Sequence, residues 1–503
     1  MLRKLRIILA SIFFTGITLL FLDFTGTLHA WLGWMAKIQF LPAVLAMNFA
    51  IVAALVILTL LFGRVYCSVV CPMGVMQDLI SWIHKKAQKK ARFRFSYTPQ
   101  KKWLRVIVLA LFIIGMILGA HAIVLLIAPY SAYGRIAANL FAPLYQLGNN
   151  VLAYFAERAD SYAFYKVDVW VRATSSLAIA AITLVTVGFL AWKHGRTWCN
   201  TIGPVGTVLG FLSRFSIFVP VIDSEKCRNC GLCGKQCKAS CIDMKEHKID
   251  YSRCVVCMDC IDTCKEGAIQ YKRRACSCMA PKEATPQKTN AAPQDKGRRA
   301  FITTSLIAGT AATLQAQDMK VDGGLASIAR AEKPERKTPL VPAGSLSVKN
   351  FTNHCVACQL CVTSCPNHVL RPSTDLETLM QPEMSYERGY CRPECNTCSQ
   401  VCPAGAIKPI TVEEKSSIQI GHAVVNLESC VVNKDNVSCG NCARHCPAGA
   451  IRMVKRNPED ENSLRIPTVN EEKCIGCGAC ENLCPARPLT AIHVEGHEVH
   501  REL

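Results

Sequence analysis

The chain has 503 residues, of which half are hydrophobic, 30 are cysteine and 24 are proline. The apolar content excludes a disordered protein, and the length excludes a small secreted domain held by disulfides. The composition is segregated, because the part before about residue 220 has long apolar runs and three cysteines, whereas the polar remainder has 27. About +12 of the net charge of +20 lies in residues 1–110, beside those runs. This placement favours membrane helices with basic loops and argues against nucleic-acid binding.

Four apolar stretches approach or exceed the length that crosses a bilayer as a helix. They are Leu5–Leu22, Leu41–Phe62, Val106–Ala128 and Ala173–Trp192. Nine Lys or Arg residues between Lys85 and Arg105, and three more at the N-terminus, predict that both segments are cytoplasmic. The chain then returns to the cytoplasm near Lys193. A cleaved signal peptide is not favoured, because no convincing small-residue cleavage site follows the first stretch.

Twenty-four cysteines fall into six groups of four with nearly the same spacing. The first two groups, each spaced C-x2-C-x2-C-x3-C, are Cys227, Cys230, Cys233, Cys237 and Cys254, Cys257, Cys260, Cys264. The other four, each ending C-x2-C-x3-C-P, are Cys355, Cys358, Cys361, Cys365; Cys391, Cys395, Cys398, Cys402; Cys430, Cys439, Cys442, Cys446; and Cys474, Cys477, Cys480, Cys484. Three thiolates on a tight loop can reach three corners of a cubane, and the fourth ligates the neighbouring cluster.

This spacing predicts six [4Fe–4S] clusters held by these 24 cysteines. Structural zinc is the first alternative, but zinc sites use two separated cysteine pairs. Disulfides are the second alternative, and they would not need such regular spacing. The exchange of fourth ligands pairs the first group with the second. For the last four groups, the sequence leaves two pairings open. Each group pairs with its neighbour in sequence, or the pairing is nested, first with fourth and second with third.

A linker separates the two cysteine-rich blocks. Met279–Gly297 is rich in Pro, Lys, Gln, Ala and Thr, and Arg298-Arg299 then precede a short, mildly apolar run that ends at Leu314. Paired arginines before such a run resemble a twin-arginine export signal inside the chain, and the alternative is a plain linker helix. The run is short for a fifth membrane span. The export interpretation places the second block outside the inner membrane.

Three of the remaining cysteines share a setting. Gly63-Arg64-Val65-Tyr66-Cys67, continuing to Cys71-Pro72-Met73-Gly74, follows the second apolar stretch. Gly195-Arg196-Thr197-Trp198-Cys199 follows the fourth, with Gly203-Pro204-Val205-Gly206 where the first copy has its second cysteine. Cys67, Cys71 and Cys199 form either an extra redox or metal site, or merely buried thiols at helix ends. The last three cysteines, which we interpret as free or incidental, are Cys241, Cys276 and Cys278.

Together these segments resemble the membrane ferredoxins of periplasmic nitrate reductase systems (NapH type), fused to their exported four-cluster partner (NapG type). The glycine at position 203 departs from the four-cysteine membrane pattern. The resemblance implies an α-helical membrane bundle of four spans with a candidate fifth, joined to α+β ferredoxin-like domains. Its implied units are a membrane domain (1–222), a cytoplasmic two-cluster domain (223–278), a linker (279–344) and a periplasmic four-cluster domain (345–503). It also implies nested pairing, in which Cys365 joins Cys474, Cys477 and Cys480.

The predicted function is electron transfer in the bacterial inner membrane. Electrons would pass from the quinone pool or a cytoplasmic donor to a periplasmic reductase, for example one of the molybdopterin type. The chain would be an electron carrier or a quinol dehydrogenase subunit, with no haem or flavin, since no CxxCH or GxGxxG pattern occurs. His121, the one histidine well inside a span, is a candidate quinol contact or a satisfied bundle residue. The alternative function is maturation, in which the protein handles a metal or a thiol of a partner enzyme.

Overall fold

The computed structural model describes residues 1–23, 25–87, 95–120, 125–274, 321–322, 326–327 and 331–503. The first half is helical and the second half is built of short helices and two-stranded sheets. The helices are α1 (Leu2–Leu22), α2 (Thr27–Leu32), α3 (Trp34–Lys37), α4 (Phe40–Leu45), α5 (Phe49–Phe62), α6 (Val65–Val69), α7 (Pro72–Ala87), α8 (Lys102–Ile117), α9 (Pro129–Ile136), α10 (Ala142–Arg158), α11 (Thr174–His194), α12 (Pro204–Leu212), α13 (Leu232–Gln236), α14 (Asp259–Thr263), α15 (Val348–His354), α16 (Leu360–Thr363), α17 (Thr397–Val401), α18 (Val412–Ser417), α19 (Val431–Lys434), α20 (Asn441–Arg444) and α21 (Ala479–Asn482). Segments Ala137–Phe141 and Trp198–Ile202 are π-helical.

Two helices in the described part of the chain are long and apolar enough to cross a membrane, namely α1 and α11, each of 21 residues. Only 28% and 22% of their most apolar windows are buried in the protein. Their outer faces carry large exposed hydrophobic side chains such as Ile8 and Phe189. A core helix of a soluble protein would bury such side chains, so these faces suit an apolar surrounding.

The prediction of a four-span bundle is not supported by the helix lengths. The second predicted stretch is broken by a left-handed residue, Met47 (φ 52°), and α5 restarts where the Asn48 side chain accepts the Ile51 N–H. Helix α5 has 14 residues and α8 has 16, about 21 and 24 Å long against a hydrocarbon core of about 30 Å. The paired arginines and the candidate fifth span lie outside the described residues, as does the linker segment 279–320.

The strands of the chain form antiparallel pairs, of which all but β5 and β6 lie in the two cysteine-rich blocks. The strands are β1 (Phe218–Ile222), β2 (Ile242–Asp243), β3 (Lys248–Ile249), β4 (Ile269–Arg273), β5 (Val321–Asp322), β6 (Ala326–Ser327), β7 (Leu370–Pro372), β8 (Pro382–Met384), β9 (Ile418–Val425), β10 (Ile451–Lys455), β11 (Arg465–Val469) and β12 (Ile492–Glu502). Strand β1 pairs with β4, β2 with β3, β5 with β6, β7 with β8, β9 with β12, and β10 with β11. We call residues 218–274 the first cysteine-rich domain and residues 331–503 the second.

The two cysteine-rich domains contact opposite ends of α1. At the N-terminal end, Arg3 donates to Asp259 at 2.9 Å and to Asp262 at 2.6 Å, both in the first domain. At the C-terminal end, Phe21 lies against Tyr130 in one buried core that continues into the second domain through Cys358. The 18 residues from Arg3 to Phe21 span about 27 Å of helix. The helical domain (residues 1–215) therefore lies between the two cysteine-rich domains.

Candidate metal centres

Four of the six cysteine groups share one backbone turn around their second cysteine. The residue that follows this cysteine has φ of 69° at Gly231, 62° at Met258, 64° at Gln359 and 78° at Gly478. The residue that precedes it is also left-handed, at Asn229, Val256, Ala357 and Gly476. Such values are rare for residues with a Cβ, and Val256 is β-branched. The turn therefore follows from the C-x2-C-x2-C spacing, and the two groups with longer first spacings lack it at Asn396 and Gly440.

In the first domain, the fourth cysteine of one group meets three cysteines of the other. Cys237 lines a cavity together with Cys254, Cys257 and Cys260. Burial raises the pKa of Cys260, and the neighbouring thiols, Cys237 among them, raise it further. This contact is one half of the ligand exchange that the sequence predicts for two neighbouring ferredoxin clusters.

In the second domain, the cysteine groups pair with their neighbours in sequence. Cys365 lines a cavity with Cys391, Cys395 and Cys398. In return, Cys402 lies near Cys358 and Cys361, since all three thiols interact electrostatically. Nested pairing, which would bring Cys365 to Cys474, is therefore wrong. Both orders have the same spacing, so only the three-dimensional arrangement distinguishes them.

The last two groups pair in the same way. Burial raises the pKa of Cys480, and the thiols of Cys477, Cys474 and Cys446 raise it further. Burial likewise raises the pKa of Cys442 to about 11, and its thiol neighbours are Cys439, Cys484 and Cys430. Each group thus supplies three thiols to one site and one thiol to its partner's site.

The residues present fit [4Fe–4S] clusters by their donor chemistry. The cavities of Cys237 and Cys365 each bring together at least four thiols, and no histidine occurs among their described lining residues. Apart from its cysteines, the first is lined by apolar residues, and the second also has polar residues such as Asn396 and Lys415. Among the described residues, no group of three His, Cys, Asp or Glu converges closely enough for a single metal ion. Zinc would need such a compact set, whereas a cubane holds its thiolates farther apart.

A fifth cysteine lies at one of these sites, and the sequence interpretation of Cys241 as incidental missed it. Cys241 is 1% exposed and lines the cavity of Cys237 and Cys254. Its Sγ lies 3.5 Å from Sγ of Cys237, and this hydrogen bond lowers the pKa of Cys237. The C-x3-C spacing from 237 to 241 was the available signal. Cys276, Cys278 and His121 lie outside the described residues.

The three hairpin cysteines, Cys67, Cys71 and Cys199, are all buried. Burial raises the pKa of Cys71, and the nearby thiols of Cys199 and Cys67 raise it further. The Gln77 side chain donates to Sγ of Cys199 at 3.0 Å. These neighbours show that the two sequence copies bring their cysteines to one place.

Arginines of the two copies hold the hairpins together reciprocally. Arg64 of the first copy donates to Asn200 of the second at 2.8 Å, while Arg196 of the second donates to the Cys67 carbonyl at 2.6 Å. A Cβ on Gly74 would collide with the Cys67 carbonyl, and one on Gly206 would collide with the Cys199 carbonyl. The repeated Gly-Arg and final Gly therefore have a packing role in both copies.

The second domain docks on α9 through the loop of its first cysteine group. A Cβ on Gly134 would collide with the Cys358 carbonyl, so the glycine permits close approach. Gln359 accepts from Asn139 at 2.7 Å and donates to Ser176 at 2.9 Å. The buried Tyr130 hydroxyl has no hydrogen-bond partner among the described residues. This contact brings one predicted cluster site against the helical domain.

Two family models match the chain. The model of a 4Fe-4S binding domain matches twice, at residues 44–91 and 173–221, and that of a 4Fe-4S dicluster domain matches residues 437–487. The first model covers one hairpin copy at each match, with Cys67 and Cys71 in one and Cys199 in the other. One family model thus matches both copies of the internal repeat that the sequence predicts. No solved structure significantly matches the chain.

Curated relatives are ferredoxin-type proteins. The methylamine utilization ferredoxin-type protein MauM of Methylobacillus flagellatus is 32% identical over 162 residues, which are 31% of this chain and 69% of MauM. Ferredoxin-type protein NapH of Escherichia coli is 26% identical over 46% of this chain and 70% of NapH. Ferredoxin-type protein NapF of Escherichia coli is 26% identical over 36% of this chain and its own full length. The match to MauM, together with the cysteine loops, shows that the chain belongs to the family of ferredoxin-type 4Fe-4S proteins that includes MauM.

Proposed function

We propose that this protein is a membrane-bound electron carrier with six [4Fe–4S] clusters. Electrons would enter from the quinol pool or a cytoplasmic donor and leave to a periplasmic reductase. The ferredoxin-type domains support the electron-transfer role, and the names of the NapF and NapH relatives favour a partner from a nitrate reductase-like system. Fusion of a NapH-type and a NapG-type protein would explain why one chain has both cysteine-rich domains.

The observation that carries this proposal is the contact of the two cysteine-rich domains with opposite ends of α1. Helix α1 (Leu2–Leu22) is long enough to cross a bilayer, and its ends contact different domains. Basic residues near the first domain favour its cytoplasmic location. The second domain then lies on the periplasmic side, in agreement with the twin-arginine interpretation of Arg298 and Arg299.

Membrane insertion is supported by the apolar outer surface of the helical domain. Leu111 and Ile114 of α8 and Ile182 and Val185 of α11 are at least half exposed. Further spans would have to combine short helices, as α4 with α5, because α5 and α8 are too short alone. The four-span arrangement remains part of this proposal.

The chain's own residues would hold, shield and orient the clusters. When bound, [4Fe–4S] clusters accept and release single electrons, and hydrogen bonds and exposure set their potentials. Cys355, Cys358 and Cys361 are buried against the helical domain, which excludes water from that site. Gln359, which follows Cys358, donates to Ser176 of α11 and so holds this cysteine loop against that helix. The site of Cys358 is thus the point at which electrons would pass between the membrane domain and the second domain.

The experiment is anaerobic reduction of the purified full chain by a quinol analogue, followed by electron paramagnetic resonance. Wild-type protein should show reduced [4Fe–4S] signals. Cys67→Ser and Cys199→Ser should block this reduction while leaving reduction by dithionite unchanged. Cys278→Ser, outside all six groups and the hairpin cluster, is the matched control and should behave as wild type.

Two other results have defined meanings. If neither a quinol analogue nor a reduced cytoplasmic ferredoxin reduces the clusters, the electron-carrier proposal is wrong. If Cys67→Ser and Cys199→Ser keep quinol-driven reduction but abolish the activity of a partner enzyme, the maturation function is correct instead. The specific observation that favours maturation is the buried three-thiol cluster, whose Cys199 accepts from Gln77.

A further inference from the structure

A cavity of about 480 Å³ lies between the helical domain and the first cysteine-rich domain. It is lined by the segment from Phe95 to Lys101, by the end of α11 and by the loop around Ser240. It is far larger than the spaces at the cysteine sites, which hold only about 20–30 Å³. Its size is that of a small-molecule site.

The cavity carries a surplus of positive charge. Lys101, Arg105, Lys193 and Arg253 all line it, and no carboxylate occurs among its described lining residues. One of these charges is partly balanced, because Nε of Arg253 donates to Asp250 at 2.8 Å. Asp250 itself does not line the cavity. Lys101 and Lys193 are exposed, so their ammonium groups can reach a ligand.

Both arginines of the cavity have an unused donor. Arg105 is 4% exposed and Arg253 is 6% exposed. Nε of Arg105 and Nη2 of Arg253 find no hydrogen-bond partner among the described residues. A buried guanidinium donor without a partner is unfavourable, and an anionic oxygen would satisfy it.

The position of the cavity limits the kind of anion. Lys193 and His194 end α11, and Lys101 immediately precedes α8, so the cavity is level with the ends of two apolar helices. Phosphate headgroups lie at the depth of the end of α11 when this helix spans a bilayer, and basic pockets there bind anionic headgroups.

We propose that this basic cavity binds a phosphate-bearing anion, held by Lys101, Lys193, Arg105 and Arg253. The site adds a ligand that electron transfer does not require. The phosphate could belong to an anionic phospholipid or to a free phosphate compound, and the lipid source alone rests on the proposed membrane location. Asn200 lines the cavity and accepts from Arg64, whose Nη2 lies 3.7 Å from Sγ of Cys67. A bound anion next to Asn200 would therefore be separated by this one residue from the arginine that contacts Cys67.

The test compares two double variants of the full chain with equal loss of charge. Lys101→Gln with Lys193→Gln removes the two exposed cavity cations. Lys265→Gln with Lys272→Gln removes two exposed lysines of the first domain that do not line the cavity. All four positions are exposed, so both variants should fold, and equal iron content verifies this. Binding of pyrophosphate to delipidated protein is measured by calorimetry, and co-purifying phospholipid by mass spectrometry.

The cavity variant should bind pyrophosphate at least about tenfold more weakly than wild type, while the control variant stays within about twofold. Retention of anionic phospholipid by wild type, lost in the cavity variant, identifies the lipid source. Pyrophosphate binding without retained lipid identifies a free phosphate compound. The proposal is wrong if both variants match wild type in both assays. Neither readout depends on electron transfer, so failure here leaves the proposed function intact.

Discussion

Arg196 donates a hydrogen bond from Nη1 to the backbone carbonyl of Cys67 at 2.6 Å, which joins the second hairpin to the first. The same guanidinium donates from Nε to Asp78 at 2.8 Å. Asp78 is also paired with Arg6 of α1 and lies 3.8 Å from Lys238 of the first cysteine-rich domain. One carboxylate thus connects both hairpins, α1 and the first domain.

Asp78→Asn should destabilise the helical domain by about 3–5 kcal/mol, because it leaves the fully buried Arg196 without its countercharge. Burial alone would raise the pKa of Asp78, but Arg196, Lys238 and Arg6 outweigh it and hold this pKa well below its usual value. The ionised carboxylate therefore stabilises the fold fully above about pH 5. This contribution falls as the pH drops below about 4, where the unfolded chain takes up the proton.

Denaturant unfolding followed by tryptophan fluorescence measures both effects. The gap in unfolding free energy between wild type and Asp78→Asn should be constant from pH 8 to 5 and narrow below about pH 4. Asp160→Asn, an exposed change of the same type, is the control and should stay within about 0.5 kcal/mol of wild type. A gap that widens on acidification would contradict this account of Asp78.

The pairing of cysteine groups gives a prediction from double variants. Cys365→Ser and Cys395→Ser should damage the same cluster, so the double variant should lose about the same four irons as either single variant. Cys365→Ser with Cys477→Ser should damage two clusters and lose about eight irons. Iron analysis with Mössbauer spectroscopy counts them. Loss of about eight irons from the first double variant and of about four from the second would support nested pairing instead.

Docking of the second domain should depend on the space at Gly134. Gly134→Ala should loosen the contact, because its Cβ would overlap the rigid backbone carbonyl of Cys358. Limited proteolysis should then release the second domain faster than in wild type. Gly148→Ala, in α10 with nothing within 4 Å of an added Cβ, is the control. Equal cleavage rates in all three proteins would mean that the α9 contact does not hold the domain.

The opposite ends of α1 predict a specific membrane topology. A periplasmic reporter fused after Leu503 should be active, and one fused after Arg273 should be inactive. Replacing Arg298 and Arg299 by Lys should leave the second domain in the cytoplasm. If both fusions are active, or both inactive, the topology is contradicted. Continued export of the Lys variant would contradict only the twin-arginine interpretation.

The sequence predicts local sites better than contacts between distant segments. The C-x2-C-x2-C spacing is enough to predict the loops and the meeting of Cys237 with Cys254, because neighbouring groups exchange a ligand. It cannot decide the partner of Cys365, since both orders use identical spacing. The sequence also does not predict the helix break at Met47, because one asparagine, Asn48, is not enough to interrupt the apolar stretch around it. The reciprocal arginines were visible as a repeated Gly-Arg, but their partners Asn200 and Asp78 depend on how two hairpins pack.

The most direct test of the central claim is the iron content of the full chain purified without oxygen, measured with its Mössbauer spectrum. The six proposed four-thiolate sites predict about 24 irons per chain, all in [4Fe–4S] clusters. Mainly zinc, or only the eight or so irons of two clusters, would contradict the account.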